Sequence, residues 1–183
     1  MEPLKVFVSS TRLDLFDFRE AVSAALARSP RVQLLAMEQF GAKTADAAEV
    51  STEFVREADI LVGVYAWRYG HQPKPGGPSV TELEFDAADA AGKRRLCYIA
   101  RDDAAIPDPA DAGGVETDQQ RERLKQFKKR VSQLVRETFA TPDELARKVA
   151  QDVADVLDGY PLGILPREEI GRASCRERVL YTV

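Results

Sequence analysis

Residues Asp59–Trp67 read DILVGVYAW, the most strand-like segment of the sequence. It is almost continuously apolar, which is typical of a central strand whose two faces are both covered by helices. The loop RYGHQPKPGGPS follows over 68–79, with glycines and prolines clustered near its end. A helix is predicted next, from Val80 to Gly92. The stretch therefore begins a strand–loop–helix unit of the kind that builds parallel sheets.

The segments on both sides of this unit repeat the alternation of strand and helix. Further strands are predicted at Lys5–Ser9, Val32–Ala36, Arg95–Ala100 and Glu137–Ala140. Further helices are predicted at Leu13–Arg28, Ala47–Ala58 and Thr117–Arg136, and from Pro142, capped by Thr141, to Gly159. Thr11 and Asp14 resemble a capping box at the first helix. The order predicts an α/β fold of three layers, with a five-stranded, mostly parallel sheet in the order 2-1-3-4-5.

In a sheet of this order, ligands bind in the crevice at the carboxyl ends of strands one and three. The loops expected there are Ser9–Arg12 and Trp67–Ser79. The helix from Val80 follows the second loop directly, so its first turns border the crevice. Two other loops are predicted, at Gly41–Ala45 and over 101–116, and the second is acidic and expected to be mobile.

Composition limits the class of protein. The chain has 183 residues, 44% hydrophobic and 31% charged, which suits a single domain with its own core. Its net charge of −4 argues against nucleic-acid partners, and its longest apolar run, 60–67, is too short to cross a bilayer. The first residues lack the layout of a signal peptide, so a cytoplasmic protein without membrane partners is expected. Two cysteines and one histidine form no metal-site pattern.

The C-terminal residues differ from the rest of the chain. EIGRASCRERV, over 169–179, has no apolar periodicity and matches the in-frame translation of a sequencing-adaptor read. A genuine basic tail is the alternative, and the match does not explain residues 180–183. We therefore expect a domain over 1–160, the start of a linker over 161–168 and an artefact over 169–183. The natural protein is then expected to continue into a missing C-terminal region.

Two glutamates lie close together at the start of the helix that borders the crevice. With Ser79 as the N-cap residue, Glu82 is the third helical residue and completes a capping box. Its neighbours one and two turns further on are Asp86 and Asp89. This pattern predicts that Glu82 has a structural role on a solvated face.

Glu84 lies on the other side of the same helix. Its helical neighbours are small and let the helix approach the sheet closely: Ala87, Ala88 and Ala91. Burial there would raise the pKa of Glu84, whereas the helix N-terminus would lower it, so the direction stays open. Spacing favours equally a functional carboxylate and a structural ion pair with Arg12 or Arg68.

Three ordered motifs resemble one known family. KVFVSSTRLDLFDFREAV over 5–22, ADILVGVYAWRYG over 58–70 and SVTELEFDAA over 79–88 resemble the TIR-like family of domains of unknown function numbered four-zero-six-two. The resemblance covers residues 4–158 and implies a flavodoxin-like or TIR-like fold. Members typically precede NACHT-type or other STAND NTPase modules, or TPR or WD repeats, in bacterial defence or signalling proteins. It therefore implies that the partner is the chain's own missing C-terminal region, and that the domain self-associates when activated.

Two further resemblances fall on Glu84. Glu84, Phe85 and Ala88 match the pattern that begins the corresponding helix of TIR domains, and Thr81 with Glu84 matches the Thr-x-x-Glu of nucleoside deoxyribosyltransferases. In enzymatic TIR domains this glutamate helps to cleave the bond between nicotinamide and ribose in NAD. The resemblance thus implies that Glu84 is catalytic, with NAD or a related nucleotide as substrate and no separate cofactor or metal.

The same resemblance implies a set of ligand-binding residues: Ser9, Ser10, Thr11, Arg12, Trp67, Arg68, Tyr69, Gly70 and Thr81. Hydroxyls would bind phosphate or ribose, arginine would hold a phosphate, and Trp67 or Tyr69 would stack on a base. Alternatively, Tyr69 and Gly70 simply turn the chain, and His71 is a loop residue. Pro78–Val80 replaces the cysteine-containing segment that precedes the TIR glutamate. A non-catalytic interaction or nucleotide-sensing module is therefore the alternative to an enzyme.

Overall fold

The elements follow the predicted alternation of strand and helix. The structure, a computed structural model, describes residues 2–35, 47–107 and 115–159. Its strands are β1 (Leu4–Ser10), β2 (Val32–Leu35), β3 (Ile60–Tyr65), β4 (Arg94–Ala100) and β5 (Val135–Phe139). Its helices are α1 (Arg12–Leu26), α2 (Ala47–Glu57), α3 (Val80–Ala90), α4 (Asp118–Val131) and α5 (Pro142–Leu157), with a 3-10 turn at Ser132–Leu134. The predicted loop at Gly41–Ala45 and the segments 161–168 and 169–183 lie outside the described residues.

Strand β3 lies at the centre of the sheet. Among the described residues, five strands pair in parallel in the order β2-β1-β3-β4-β5, which confirms the predicted topology. Val62 lies beside Val8 on one neighbouring strand and beside Leu96 on the other. Every residue of β3 is buried, as expected for an apolar strand that helices cover on both faces.

Alternation along the strands divides the core into two layers. On one face, side chains such as Val6 and Val62 pack with Leu15 of α1 and Val149 of α5. On the other face, the buried layer comes from the sheet and from α2, α3 and α4: Phe7, Leu61, Cys97, Val55, Phe85 and Phe127. The three predicted layers are therefore present. No helix of the described residues is both long and apolar enough to cross a membrane.

The start of α1 differs from the predicted capping box. Thr11 is the N-cap residue, but its side chain accepts no capping hydrogen bond. Leu15 departs from helical geometry, with φ −114° and ψ 19°, so the first turn is offset from the rest of the helix. Asp14 is buried rather than exposed at the helix end, and burial raises the pKa of its carboxyl. A buried carboxylate under a kinked turn has replaced the expected cap.

The last helices show where the predicted boundaries were wrong. The helix expected to reach Arg136 ends at Val131, and β5 begins at Val135 rather than at Glu137. The 3-10 turn absorbs the difference, as is common where a helix ends. The predicted start of α5 is confirmed, because the Glu144 amide donates to Thr141 Oγ1 at 3.2 Å.

Candidate functional site

A cavity of about 740 Å³ opens at the carboxyl ends of β1 and β3. This is the position at which the strand order reverses and where such sheets bind ligands. Its walls come from the start of α1, the loop after β3 and the first turns of α3. Its lining residues are Ser10, Thr11, Arg12, Leu13, Phe16, Arg19, Glu20, Arg68, Gly70, His71, Gln72, Pro75, Val80, Thr81, Glu84 and Gln120.

The end of β1 places two serines on opposite faces of the sheet. Because side chains alternate along a strand, Ser9 shares the face of Phe7 towards α3, whereas Ser10 shares the face of Val8. The hydroxyl of Ser9 donates to Glu84 Oε2 at 2.5 Å, and Ser9 is only 1% exposed. Ser9 therefore lies behind Glu84 and fixes its carboxylate, while Ser10 lines the cavity.

Glu84 is a buried carboxylate at the cavity wall. It is 5% exposed and lies on the face of α3 that packs against the sheet. Burial raises the pKa of Glu84 to about 7, and the Ser9 hydroxyl, the positive charge of Arg19 and the Ser51 hydroxyl oppose that rise. The direction that the sequence left open is thus decided, because desolvation outweighs the groups that favour the anion.

Glu82 is more buried than its sequence pattern predicts. Its backbone amide donates to Ser79 Oγ at 3.2 Å, so the N-cap is confirmed. Its carboxylate accepts hydrogen bonds from the Tyr69 hydroxyl and from Arg130, the latter at 2.7 Å, and its side chain is only 14% exposed. The prediction of a solvated face was wrong, since α4 covers this side of α3 and Arg130 bridges Glu82 to Asp86.

The loops after β1 and β3 approach each other closely at Gly70. Gly70 has a φ of 90°, which favours glycine, and a Cβ there would lie 2.9 Å from Thr11 Cγ2. The same Cβ would lie 3.9 Å from Thr81 Oγ1. A glycine at this position thus lets the backbone form one wall of the cavity.

Glu116 holds this wall in place, although no sequence pattern predicted a role for this residue. Its carboxylate accepts hydrogen bonds from the Tyr69 amide at 2.8 Å and from the Gly70 amide at 3.0 Å. Glu116 is 6% exposed, although it ends the segment that was expected to be mobile. No local pattern marks the residue, because its partners lie 46 and 47 positions away.

Arginines supply positive charge to the cavity. Arg12, Arg19 and Arg68 all line it. Arg19 also donates to the Val8 carbonyl oxygen at 3.0 Å, which ties its guanidinium to the end of β1. Arg12 and Arg68 were predicted, whereas Arg19 was missed because the periodicity of α1 identifies only the core-facing residues. Among the described residues, no ion pair joins Glu84 to Arg12 or Arg68. The Glu84 carboxylate instead accepts a hydrogen bond from Ser9.

Most of the predicted ligand-binding residues come together. Ser10, Thr11, Arg12, Arg68, Gly70 and Thr81 line the cavity with Glu84. The buried hydroxyl of Ser10 has no hydrogen-bond partner among the described residues, whereas that of Thr11 lies within reach of the Asp14 carboxyl. The site thus combines a buried carboxylate, hydroxyls and guanidinium groups around one concave space.

Trp67 and Tyr69 do not line the cavity. The Trp67 ring packs against the core layer of α1 and α5, and the ammonium of Lys128 lies 4.7 Å from its centroid. Tyr69 is buried in the opposite layer and donates its hydroxyl to Glu82. The aromatic ring that does line the cavity is Phe16, which is 51% exposed. The sequence pattern did not single it out.

Some solved structures are similar in fold. A CMP N-glycosidase from Clostridium botulinum is 13% identical, with a TM-score of 0.43, covering 80% of this chain and 98% of that one. A 2-desoxiribosyltransferase from Leishmania mexicana is 16% identical, with a TM-score of 0.39, covering 68% and 96%. General stress protein 14 from Treponema denticola, in complex with FMN, is 13% identical, with a TM-score of 0.41, covering 85% and 98%. Likeness at this level does not carry function from one protein to another.

The family comparison is more specific. No protein with a curated description matches the chain in sequence. The family described as domain of unknown function DUF4062 matches residues 5–154, which is most of the chain. This match includes the three motifs, each of which supplies residues that line the cavity. It confirms the resemblance seen in the sequence. The chain belongs to the DUF4062 family.

Proposed function

We propose that this domain cleaves the N-glycosidic bond of NAD or a related nucleotide, with Glu84 as the catalytic carboxylate. The observation that carries the proposal is the position of Glu84, buried at the wall of a cavity that is otherwise lined by hydroxyls and arginines. A carboxylate held by the hydroxyls of Ser9 and Ser51 can respond to charge that develops in front of it. Buried ionisable groups with shifted pKa values also concentrate at functional sites.

The reaction breaks the bond between the ribose C1′ atom and the base nitrogen. The electron pair of that bond leaves with the base, and positive charge develops on the ribose. The Glu84 anion either stabilises this charge or forms a transient bond to C1′, and water then supplies the hydroxyl of the free sugar. Ser9 donates to Oε2, which would hold the carboxylate in position beside the sugar.

The remaining lining residues would bind the rest of the nucleotide. Arg12 and Arg68 suit phosphate oxygens, since a guanidinium donates two parallel hydrogen bonds. The unpartnered hydroxyl of Ser10 and the hydroxyl of Thr11 would donate to phosphate or ribose. Gly70 leaves space for a close approach of the backbone, and Thr81 lies beside it.

We further propose that the domain acts as the N-terminal effector or signalling domain of a larger cytoplasmic protein. Membership of the DUF4062 family supports this proposal. An NTPase or repeat region would bring several copies together, and that assembly would activate the cavity.

The test is to assemble the domain and supply NAD. The chain fused to a coiled-coil trimer and the unfused chain would be compared for nicotinamide release by chromatography. Release from the fusion, lost in Glu84→Ala, is the expected result. Equal release by wild type and Glu84→Ala would remove Glu84 as the catalyst.

A non-catalytic nucleotide-sensing or interaction module is the second candidate. It is favoured by the short bond from Ser9 to Glu84, because a buried carboxylate that is already bonded can serve simply to join β1 to α3. In that case NAD or another nucleotide would bind to the assembled domain without release of a base. Calorimetry and chromatography on the same sample distinguish the two candidates.

A further inference from the structure

Leu13 and Phe16 form an apolar wall inside an otherwise polar cavity. Both line it, and they are 56% and 51% exposed, respectively. Leu13 precedes the offset of α1 at Leu15 and Phe16 follows it, and both side chains line the same cavity. Leu15 and Phe18 occupy the core-facing side and are buried. The wall is therefore separate from the core and open to the cavity.

The facing loop adds apolar surface to the same space. Pro75 and Val80 also line the cavity. The charged and hydroxyl-bearing residues Arg12, Arg68 and Ser10 line it as well. Such a mixture is typical of sites that hold a ligand with one charged part and one planar, weakly polar part.

We propose that Phe16 and Leu13 bind the heterocyclic base of the nucleotide. The inference rests on the function proposed above and names the base-binding surface that it requires. Any base can stack on a phenyl ring, whatever polar atoms the base carries at its edges, because every base has a flat aromatic face. Trp67 and Tyr69 are engaged elsewhere, in a cation–π contact and a hydrogen bond, respectively. Among the phenyl, phenol and indole rings of the described residues, Phe16 is therefore the one that lines the cavity and on which a base can stack.

Binding to an inactive background separates this inference from catalysis. Glu84→Gln would be combined with Phe16→Ala or with Phe16→Leu. Calorimetry would then measure the affinity for AMP, for CMP and for ribose 5-phosphate, which lacks a base. Phe16→Ala should weaken AMP and CMP binding at least about tenfold and change ribose 5-phosphate binding by less than about twofold. Phe16→Leu should fall between, since it keeps apolar contact without the ring.

Val115→Ala is the matched control, because Val115 is 72% exposed and does not line the cavity. It should leave all three affinities unchanged. Equal weakening of AMP and ribose 5-phosphate by Phe16→Ala would overturn the inference, and so would unchanged AMP affinity. A change of oligomeric state with unchanged affinity would instead make the wall a contact between copies. Absence of AMP and CMP binding at millimolar concentration would also overturn it.

The two proposals fail separately. If Glu84→Ala retains base release while Phe16→Ala weakens AMP binding selectively, the catalytic role is wrong and the base-binding surface stands. If Glu84→Ala abolishes release while Phe16→Ala leaves the KM for NAD unchanged, the catalytic role stands and the wall has another purpose.

Discussion

Glu82 and Glu84 lie in different environments because two residues span about 200° of a helix. Glu82 therefore meets α4 and the Tyr69 hydroxyl, whereas Glu84 meets Ser9 at the end of β1. Neither carboxylate is on a freely solvated face. At the scale of single residues, the surroundings of each carboxylate determine its chemistry.

Burial of Glu84 makes stability depend on pH. Its folded pKa of about 7 lies above the ordinary value of 4.5. Below pH 4.5 both the folded and the unfolded chain hold this proton. As the pH rises to 7 the unfolded chain releases it first, so the contribution of Glu84 to stability falls. The loss continues until the pH has passed through the folded pKa.

Glu84→Gln should remove this dependence. The free energy of unfolding of Glu84→Gln, relative to wild type, should rise by about 3 kcal/mol between pH 4.5 and pH 8. Urea unfolding at several pH values measures it, with the exposed change Glu53→Gln as the baseline. A difference that does not vary with pH would contradict the burial of an ionisable Glu84.

The hydrogen bond between Tyr69 and Glu82 joins the loop after β3 to α3. Tyr69→Phe and Glu82→Ala should therefore be coupled by about 1 to 2 kcal/mol in a double-mutant cycle. Tyr69→Phe combined with Glu122→Ala, an exposed change on α4, should be additive. Additivity of the first pair, measured by denaturant unfolding, would mean that the bond between the Tyr69 hydroxyl and Glu82 does not stabilise the fold.

At the scale of elements, the backbone of the loop after β3 depends on the residue that precedes α4. Glu116 accepts hydrogen bonds from two successive amides, those of Tyr69 and Gly70. Without it, these buried amides would lack a partner, which is unfavourable in a protein interior. The position of the cavity wall is thus set by a residue that does not line the cavity.

Glu116→Ala should lower the free energy of unfolding by about 2 to 4 kcal/mol, because it leaves those amides unpaired. Glu116→Gln keeps an acceptor oxygen and should lose less. Glu122→Ala, nearby and exposed, should change stability by less than about 0.5 kcal/mol. If all three changes had equally small effects in chemical denaturation, the hydrogen bonds from the Tyr69 and Gly70 amides to Glu116 would not stabilise the fold.

Features that lie within one helix or strand could be predicted from the sequence, whereas side-chain contacts between elements could not. Strand alternation and helix phase follow from the local sequence, so the order of the sheet and the burial of Glu84 were predictable. The environment of Phe16 depends on how α1 sits on the sheet, and periodicity identifies only its core-facing side. Glu116 meets its partners through tertiary contacts across 46 and 47 residues. Trp67 and Tyr69 were expected at the cavity because they follow β3, but their rings pack into the two core layers.

At the scale of the whole molecule, the helices and strands of the described residues form three layers, and the last of these elements is α5. Helix α5 ends at Leu157, and its residues Leu145, Val149 and Val153 are buried beside α1. The Tyr98 hydroxyl donates to Asp152 Oδ2 at 2.7 Å, which fixes α5 to β4. The domain boundary near residue 160 stays a prediction.

A chain that ends after Gly159 should therefore fold as the full chain does. Its thermal midpoint should lie within about 2 °C of that of the full chain, because no described core contact is removed. Scanning calorimetry of both chains makes the comparison. Loss of cooperative unfolding in the shorter chain would place part of the stabilising structure beyond residue 159.

Catalysis by Glu84 is tested most directly by nicotinamide release from NAD in matched variants of the assembled protein. Glu84→Gln keeps the size of the side chain and removes its charge, and Glu82→Gln makes the same change two residues away. We expect release to fall by about 100-fold or more in Glu84→Gln and to stay within about threefold of wild type in Glu82→Gln. Equal release by the two variants would contradict a catalytic Glu84.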